Sequence, residues 1–118
     1  MPGGQTLAVD ATIEHVTGRR AYVAISEISV PEAGVEALER AFENRLRAVE
    51  SWPGFQGLEL LKDRRVPGRY LMICRWDTRE QFLAYMRSED HKRSHARIPQ
   101  GPDGPSPAGF SEYTRVAE

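Results

Sequence analysis

Two histidines four residues apart, His91 and His95, carry the side chains best suited to bind a transition metal. On a helix this spacing places both imidazole rings on one face, where they could hold zinc. However, the sequence offers no third ligand nearby and no glutamate directly after the first histidine. The alternative for His95 is an exposed position at a helix end, where the helix dipole favours a histidine.

Basic residues surround this pair: Lys92 and Arg93 precede His95, and Arg97 follows it. Guanidinium groups bind carboxylates through paired hydrogen bonds, so Arg93 and Arg97 are candidates for holding an acidic ligand. The alternative is a solvated basic helix end.

Two further residues stand out on the predicted strands. Ser26 interrupts an apolar segment and either faces a cavity or forms a hydrogen bond within a sheet. We expect Cys74 to be buried and inert, because no histidine pairs with it in sequence.

The elements that position these residues follow from hydrophobic periodicity. The first strand covers residues 22–30 and ends at a proline, and a helix of about four turns runs from Val35 to Val49. Thr78 and Gln81 form a capping-box pattern at the start of a second helix, which restarts near Ser88. The other elements are strands at 55–63 and 70–76, a proline- and glycine-rich loop at 98–109 and a last strand at 110–116.

This order, β-α-β-β-α-β, predicts an α+β, ferredoxin-like fold with a four-stranded antiparallel sheet and helices on one face. Apolar side chains fall on both faces of the predicted sheet. Met72 and Cys74 point to one face, whereas Leu71 and Ile73 point to the other. Two helices can cover only one face of such a sheet. We therefore predict a homodimer in which the uncovered faces of two copies pack together.

Length and charge exclude several classes of protein. The chain has 118 residues, with 16 basic and 17 acidic side chains and a net charge of −1, which excludes a globally basic nucleic-acid binder. A single cysteine excludes an internal disulfide, and no apolar run is long enough to span a membrane. We expect a cytoplasmic protein with one domain at 21–118. Residues 1–20 form an extension, either an extra strand or disordered.

Three segments carry a family resemblance: VAISEISVP, the SWPGFQGLELL segment after the first helix, and RWDTREQF at the start of the second. With these segments, residues 22–116 resemble the antibiotic biosynthesis monooxygenase superfamily, whose members are dimeric α/β barrels. Within that superfamily the chain is most similar to the IsdG-type haem-degrading monooxygenases.

The resemblance implies roles for particular residues. The haem branch uses a histidine that ligates the iron, and this position falls on His95. Where that branch has an asparagine on the first strand and a tryptophan on the second helix, this sequence has Ser26 and Tyr85. The resemblance thus implies haem bound by His95, with Arg93 and Arg97 near its carboxylates and with Ser26 and Tyr85 as catalytic positions. An external reductant would supply the electrons.

Two other functions stay open. Other members of the superfamily oxidise aromatic, polyketide-like substrates without a cofactor, and Tyr85, Ser26 and His95 could then bind and deprotonate a phenol. Alternatively, the chain is a non-catalytic dimeric barrel that binds a small apolar ligand, since fold does not determine function. An all-apolar pocket with His95 turned outward to solvent would favour this third possibility.

Overall fold

The computed structural model describes residues 21–118. The prediction for residues 1–20 lies outside the described residues. Two short 3₁₀ turns, at Glu32–Gly34 and Ala48–Ser51, precede and follow the first helix. In chain order the main elements are β1 (Tyr22–Ser29), α1 (Val35–Glu43), β2 (Phe55–Lys62), β3 (Arg69–Trp76), α2 (Arg79–Met86), α3 (Glu89–Ala96) and β4 (Ser106–Thr114).

The four strands form one antiparallel sheet with the order β2-β3-β1-β4. This is the strand order of the ferredoxin-like fold, so the predicted fold class is confirmed. In the centre of the sheet Ser26 lies opposite Met72 on one neighbouring strand and Phe110 on the other. These three residues share one face, because side chains at directly paired positions point to the same side of a sheet.

The first helix is shorter than predicted. The expected helix from Val35 to Val49 ends instead at Glu43, where Asn44 leaves the helical conformation and its side chain donates to the Arg40 carbonyl at 3.1 Å. Val49 nevertheless reaches the core from the 3₁₀ turn at 48–51, with 2% of its surface exposed. The apolar spacing therefore predicted the burial of Leu38 and Val49 correctly, but it was wrong for Leu46, which is exposed once the helix has ended.

The second helical region agrees with the prediction. Thr78 and Gln81 form the capping box at the start of α2, with the Gln81 backbone donating to the Thr78 hydroxyl at 3.2 Å. Ser88 then caps a separate helix, α3, by accepting from the His91 backbone at 3.1 Å. Each helix has eight residues. No helix in 21–118 is long and apolar enough to cross a membrane.

The last strand begins earlier than predicted. β4 starts at Ser106 rather than Phe110, so the loop expected at 98–109 ends at residue 105. Pro107 is tolerated inside the strand because β4 pairs only with β1 and forms an edge of the sheet. The pairing shifts by one residue between Glu27 and Ile28, opposite Pro107 and Gly109, which is a bulge that accommodates the proline.

The apolar side chains between helices and sheet form two separate clusters. The larger is centred on Trp76, which is fully buried, and includes Phe82 and Tyr85. The smaller is centred on Leu38 and Tyr70, near the other end of the sheet. The gap between the two clusters is the cavity described next.

Candidate ligand-binding cavity

A cavity of about 230 Å³ lies between the sheet and the helices, in the gap between the two clusters. Its floor comes from the strands and includes Ser26, Met72 and Phe110, and its walls come from α1 and from α2 and α3. Most of the lining side chains are apolar. A site of this kind binds a largely apolar ligand and orients it through a few polar groups.

Four of the five predicted site residues meet in this cavity: Ser26, Tyr85, His95 and Arg97 all line it. Arg93 is not among the lining residues. Its guanidinium forms an ion pair with Asp90 on the exposed surface of α3, and 61% of the Arg93 side chain is exposed. The geometry therefore supports a ligand role for Arg97 more directly than for Arg93.

Both histidines of the pair line the cavity, with ring centroids 5.8 Å apart. His95 is exposed, so it lies where the cavity meets solvent, whereas His91 is half-buried. Burial is the main cause that lowers the pKa of His91, and the neighbouring His95 lowers it further. His91 is therefore kept neutral at physiological pH, the state in which an imidazole can bind a metal or accept a proton.

The predicted alternative of a zinc site has little support. Among residues 21–118, no group of three or more histidine, cysteine, aspartate or glutamate side chains could hold a metal ion. His91 and His95 thus form a pair without a third protein ligand of these types in the described part of the chain. Structural zinc sites use four protein ligands and catalytic ones three.

Tyr85 is held in place by three aromatic neighbours. Its ring centroid is 5.4 Å from Trp52, 5.6 Å from Trp76 and 5.4 Å from His91. Trp52 is itself fixed, because its indole nitrogen donates to Asp90 at 2.9 Å. Burial is the main cause that raises the pKa of the Tyr85 phenol, so the phenol is neutral at physiological pH. Tyr85 is consequently a rigid residue of both the core and the cavity wall.

Arg45 is a cavity residue that sequence reasoning missed. It follows α1, lines the cavity with only 17% of its side chain exposed, and donates to Glu50 at 3.1 Å. Arg97 lines the same cavity and donates to the carbonyl of Asn44 at 3.1 Å. A cation inside the predicted apolar stripe of the first helix was the available signal, since Arg45 lies next to Leu46 and four residues before Val49.

Cys74 lies on the cavity floor as a buried thiol. Burial raises the pKa of this thiol, which disfavours the nucleophilic thiolate. Trp76 donates its indole N–H to the sulfur at 3.0 Å. These features agree with the expectation of an inert cysteine.

Comparison with known proteins identifies the family. Residues 21–97, well over half of the chain, match the antibiotic biosynthesis monooxygenase family. This chain belongs to that family. The predicted resemblance is therefore confirmed, and with it the assignment of the chain to a family of monooxygenases.

Similar proteins narrow the comparison within the family. The chain is 38% identical over 63 residues to the haem oxygenase (mycobilin-producing) of Mycobacterium tuberculosis. The aligned segment covers 53% of this chain and 60% of the relative. It thus spans about three fifths of the length of the curated relatives it matches.

Solved structures agree in fold. The structure of the haem degrader MhuD from Mycobacterium tuberculosis with two haems in its active site is 30% identical, with a TM-score of 0.67, over 82% of this chain and 97% of that one. A conserved protein from Methanosarcina mazei has a TM-score of 0.68 at 12% identity over 84% of this chain and 96% of that one, which shows the fold alone.

Proposed function

We propose that this chain binds haem in the cavity between sheet and helices and degrades it oxidatively, using O₂ and electrons from an external donor. The observation that carries the proposal is the position of His95, an imidazole at the mouth of an otherwise largely apolar cavity. The similarity to MhuD, which binds haem in its active site, supports it.

In this proposal each part of the cavity has one task. The His95 imidazole ligates the iron, and the apolar floor that includes Met72 and Phe110 contacts the macrocycle and excludes water. Arg45 and Arg97 line the cavity and would hold the carboxylates of haem. The bound iron supplies the chemistry that activates O₂, whereas the protein supplies orientation and a dry site.

The site must open to admit a porphyrin. A cavity of about 230 Å³ is below the roughly 300–1,000 Å³ range of drug-sized ligand sites, and haem is a large ligand. His95 and Arg97 are both exposed, so the mouth is on the α3 side of the cavity. Haem would enter there, and the segment after α3 would move to widen the mouth.

A haem titration of the full chain tests the proposal. We expect saturable binding of one haem per chain, with an absorption spectrum typical of histidine ligation. His95→Ala should abolish that spectrum, whereas the matched variant His91→Ala should keep it, because His91 is not the proposed ligand. Ascorbate and O₂ added to the loaded protein should then bleach the haem band. Non-saturating binding by the wild-type protein would refute the proposal.

The small cavity favours a second candidate function. Without opening, about 230 Å³ suits a compact aromatic substrate better than a porphyrin. In that case the chain would be a cofactor-independent monooxygenase, with Tyr85 and Ser26 as hydrogen-bonding groups and a histidine as the base. If haem fails to bind, turnover of small phenols with consumption of O₂ is the next measurement.

We also propose that the chain forms a homodimer through the sheet face opposite the helices. That face carries Leu71 and Ile73 from β3, and the exposed side chains of Leu61 and Tyr113 lie on it by register. A second copy of the same face would cover these apolar groups.

Light scattering after size exclusion tests this interface. The wild-type mass should be twice the 13.3 kDa of one chain. Leu71→Glu places a charge in the middle of the face and should give a monomer. The control variant Val66→Glu changes an exposed residue in the β2–β3 turn and should leave the mass unchanged. A wild-type monomer would contradict the interface.

A further inference from the structure

The hydroxyl group of Ser94 is buried and has no hydrogen-bond partner in the described part of the chain. Ser94 lies on α3 and lines the cavity. A serine within a helix can donate to the carbonyl four residues earlier, but this one does not. Because an unpaired buried hydroxyl costs free energy, its position needs a physical reason other than the stability of the ligand-free fold.

His91 lies beside Ser94 on the same side of α3. The two residues are three positions apart, so one turn of the helix places their side chains next to each other. Both line the cavity, and the His91 ring packs edge-on against Tyr85 with the ring centroids 5.4 Å apart. His91 is half-buried, whereas His95 is exposed. Ser94 and His91 are therefore the inner polar side chains that α3 contributes to the cavity, and His95 is the outer one.

The hydrogen-bonding chemistry of Ser94 and His91 defines what they can bind together. A serine hydroxyl can donate one hydrogen bond, and a neutral imidazole has one nitrogen that accepts one. Burial lowers the pKa of His91, so its imidazole is neutral at physiological pH. A neutral hydroxyl group on a ligand both accepts and donates, so it can satisfy the two side chains at once. A carboxylate has no proton to donate to His91 and suits Arg45 and Arg97 better.

The surroundings of the pair define the rest of such a ligand. Most of the side chains that line the cavity are apolar, and a volume of about 230 Å³ admits a compact molecule without any opening of the site. The Ser94 side chain rotates about a single bond, and no hydrogen bond to the described residues holds it. Its hydroxyl can therefore turn toward a ligand in the cavity.

We propose that Ser94 and His91 form a binding subsite for a neutral hydroxyl group on a compact, largely apolar ligand. The Ser94 hydroxyl donates to the ligand oxygen, and the His91 imidazole accepts a hydrogen bond from the ligand hydroxyl. Ser94 lacks a partner in the ligand-free protein because its partner is the ligand. This inference rests on the proposed function only in that a ligand occupies this cavity, and it requires no haem.

The first experiment measures whether the Ser94 hydroxyl has a structural role. Ser94→Ala removes a buried hydroxyl that has no partner, so the ligand-free variant should melt at the wild-type temperature or above it. Ser88→Ala is the contrasting variant, because it removes the cap of α3 and should lower the melting temperature. A Ser94→Ala protein that melts several degrees below the wild-type protein would show that the hydroxyl has a partner in the fold, and the inference would be wrong.

The second experiment measures binding of two matched ligands by equilibrium dialysis. 2-Naphthol carries a hydroxyl group where 2-methylnaphthalene carries a methyl group. Ser94→Ala and His91→Phe, which keeps a ring against Tyr85, should each weaken 2-naphthol binding about three- to tenfold, the equivalent of one hydrogen bond. Neither variant should change the binding of 2-methylnaphthalene. Ser111→Ala, on the opposite face of the sheet by its pairing with Ile25, is the matched control for both ligands.

The ratio of the two dissociation constants decides the outcome. If this ratio is the same in Ser94→Ala as in the wild-type protein, the hydroxyl group is not recognised by Ser94 and the inference is overturned. A wild-type protein that binds neither ligand overturns it as well. A failed haem titration refutes haem binding alone, because 2-naphthol contains no iron and needs no widening of the mouth.

Discussion

Gly34 is a position in the described part of the chain at which the addition of one methyl group should have a large structural effect. A Cβ atom at this residue would lie 1.8 Å from the carbonyl oxygen of Asp103 and 2.9 Å from a methyl carbon of Val30. The nearest obstacle is a backbone atom, which cannot rotate away as a side chain can. The loop after α3 therefore lies directly on the turn before α1, and only glycine permits that contact.

The cost of Gly34→Ala can be worked out from this contact. The backbone of Gly34, with φ −101° and ψ −3°, suits any residue, so the penalty is steric alone. Overpacking of this kind costs about 1–3 kcal/mol. For a domain of this size each kcal/mol lowers the melting temperature by about 4–8 °C, so we expect a decrease of roughly 5–20 °C.

Thermal unfolding followed by circular dichroism measures the effect. Gly57→Ala is the matched control, because a Cβ atom there meets nothing within 4 Å. We expect the control to melt within a few degrees of the wild-type protein. The displaced loop also carries Ile98 at the edge of the cavity, so Gly34→Ala should weaken ligand binding as well. A melting temperature equal to that of the wild-type protein would show that the loop does not rest on Gly34.

Three further substitutions test the core, the attachment of α3 and the response to pH. Leu38→Ala should cost about 2–5 kcal/mol in urea unfolding, because Leu38 is fully buried, whereas the exposed Val66→Ala should cost under about 0.5 kcal/mol. Trp52→Phe removes the hydrogen bond to Asp90 and should cost about 1–2 kcal/mol, whereas an unchanged unfolding midpoint would mean that this bond does not hold α3. Burial and a hydrogen bond raise the pKa of Tyr70 to about 12, so its contribution to stability is complete below pH 10 and is lost as the pH rises toward 12. Tyr70→Phe should reduce the loss of stability measured across that range, and an equal loss in both proteins would contradict the assignment.

Much of the fold could be predicted because local signals agreed with the tertiary structure. The capping box at Thr78 and the new cap at Ser88 are local hydrogen bonds, and both occur as expected. The errors in the predicted helix and strand bounds arose where tertiary contacts override the local sequence pattern. Val49 is buried from a 3₁₀ turn rather than from a helix, and Pro107 lies inside an edge strand that needs no hydrogen bond from it.

The cavity was predicted less completely, although one simple rule could have improved the prediction. Arg93 and His95 are two residues apart within α3, so a helix of 3.6 residues per turn points them in nearly opposite directions. The rule does not apply to Arg97, which follows the last residue of α3 and lines the cavity with His95. The same rule places His91 beside His95, and both line the cavity. Arg45 could not be predicted from the spacing around His95, because the segment after α1 and the helix α3 meet only through the fold.

The polar groups of the cavity are unevenly distributed, and this limits how a ligand can bind. The sheet floor is apolar apart from Ser26, whereas His95 and Arg97 come from α3 and the residue that follows it. Under the proposed function, a flat ligand would therefore lie with one side on the strands and present its metal or its acidic groups to the helical wall. Tyr85 lies in that wall with a neutral hydroxyl, at the position where the family resemblance implies a tryptophan in the haem-degrading branch. A phenol can donate to a ligand oxygen, so the identity of residue 85 should affect the orientation of the ligand more than the strength of its apolar contacts.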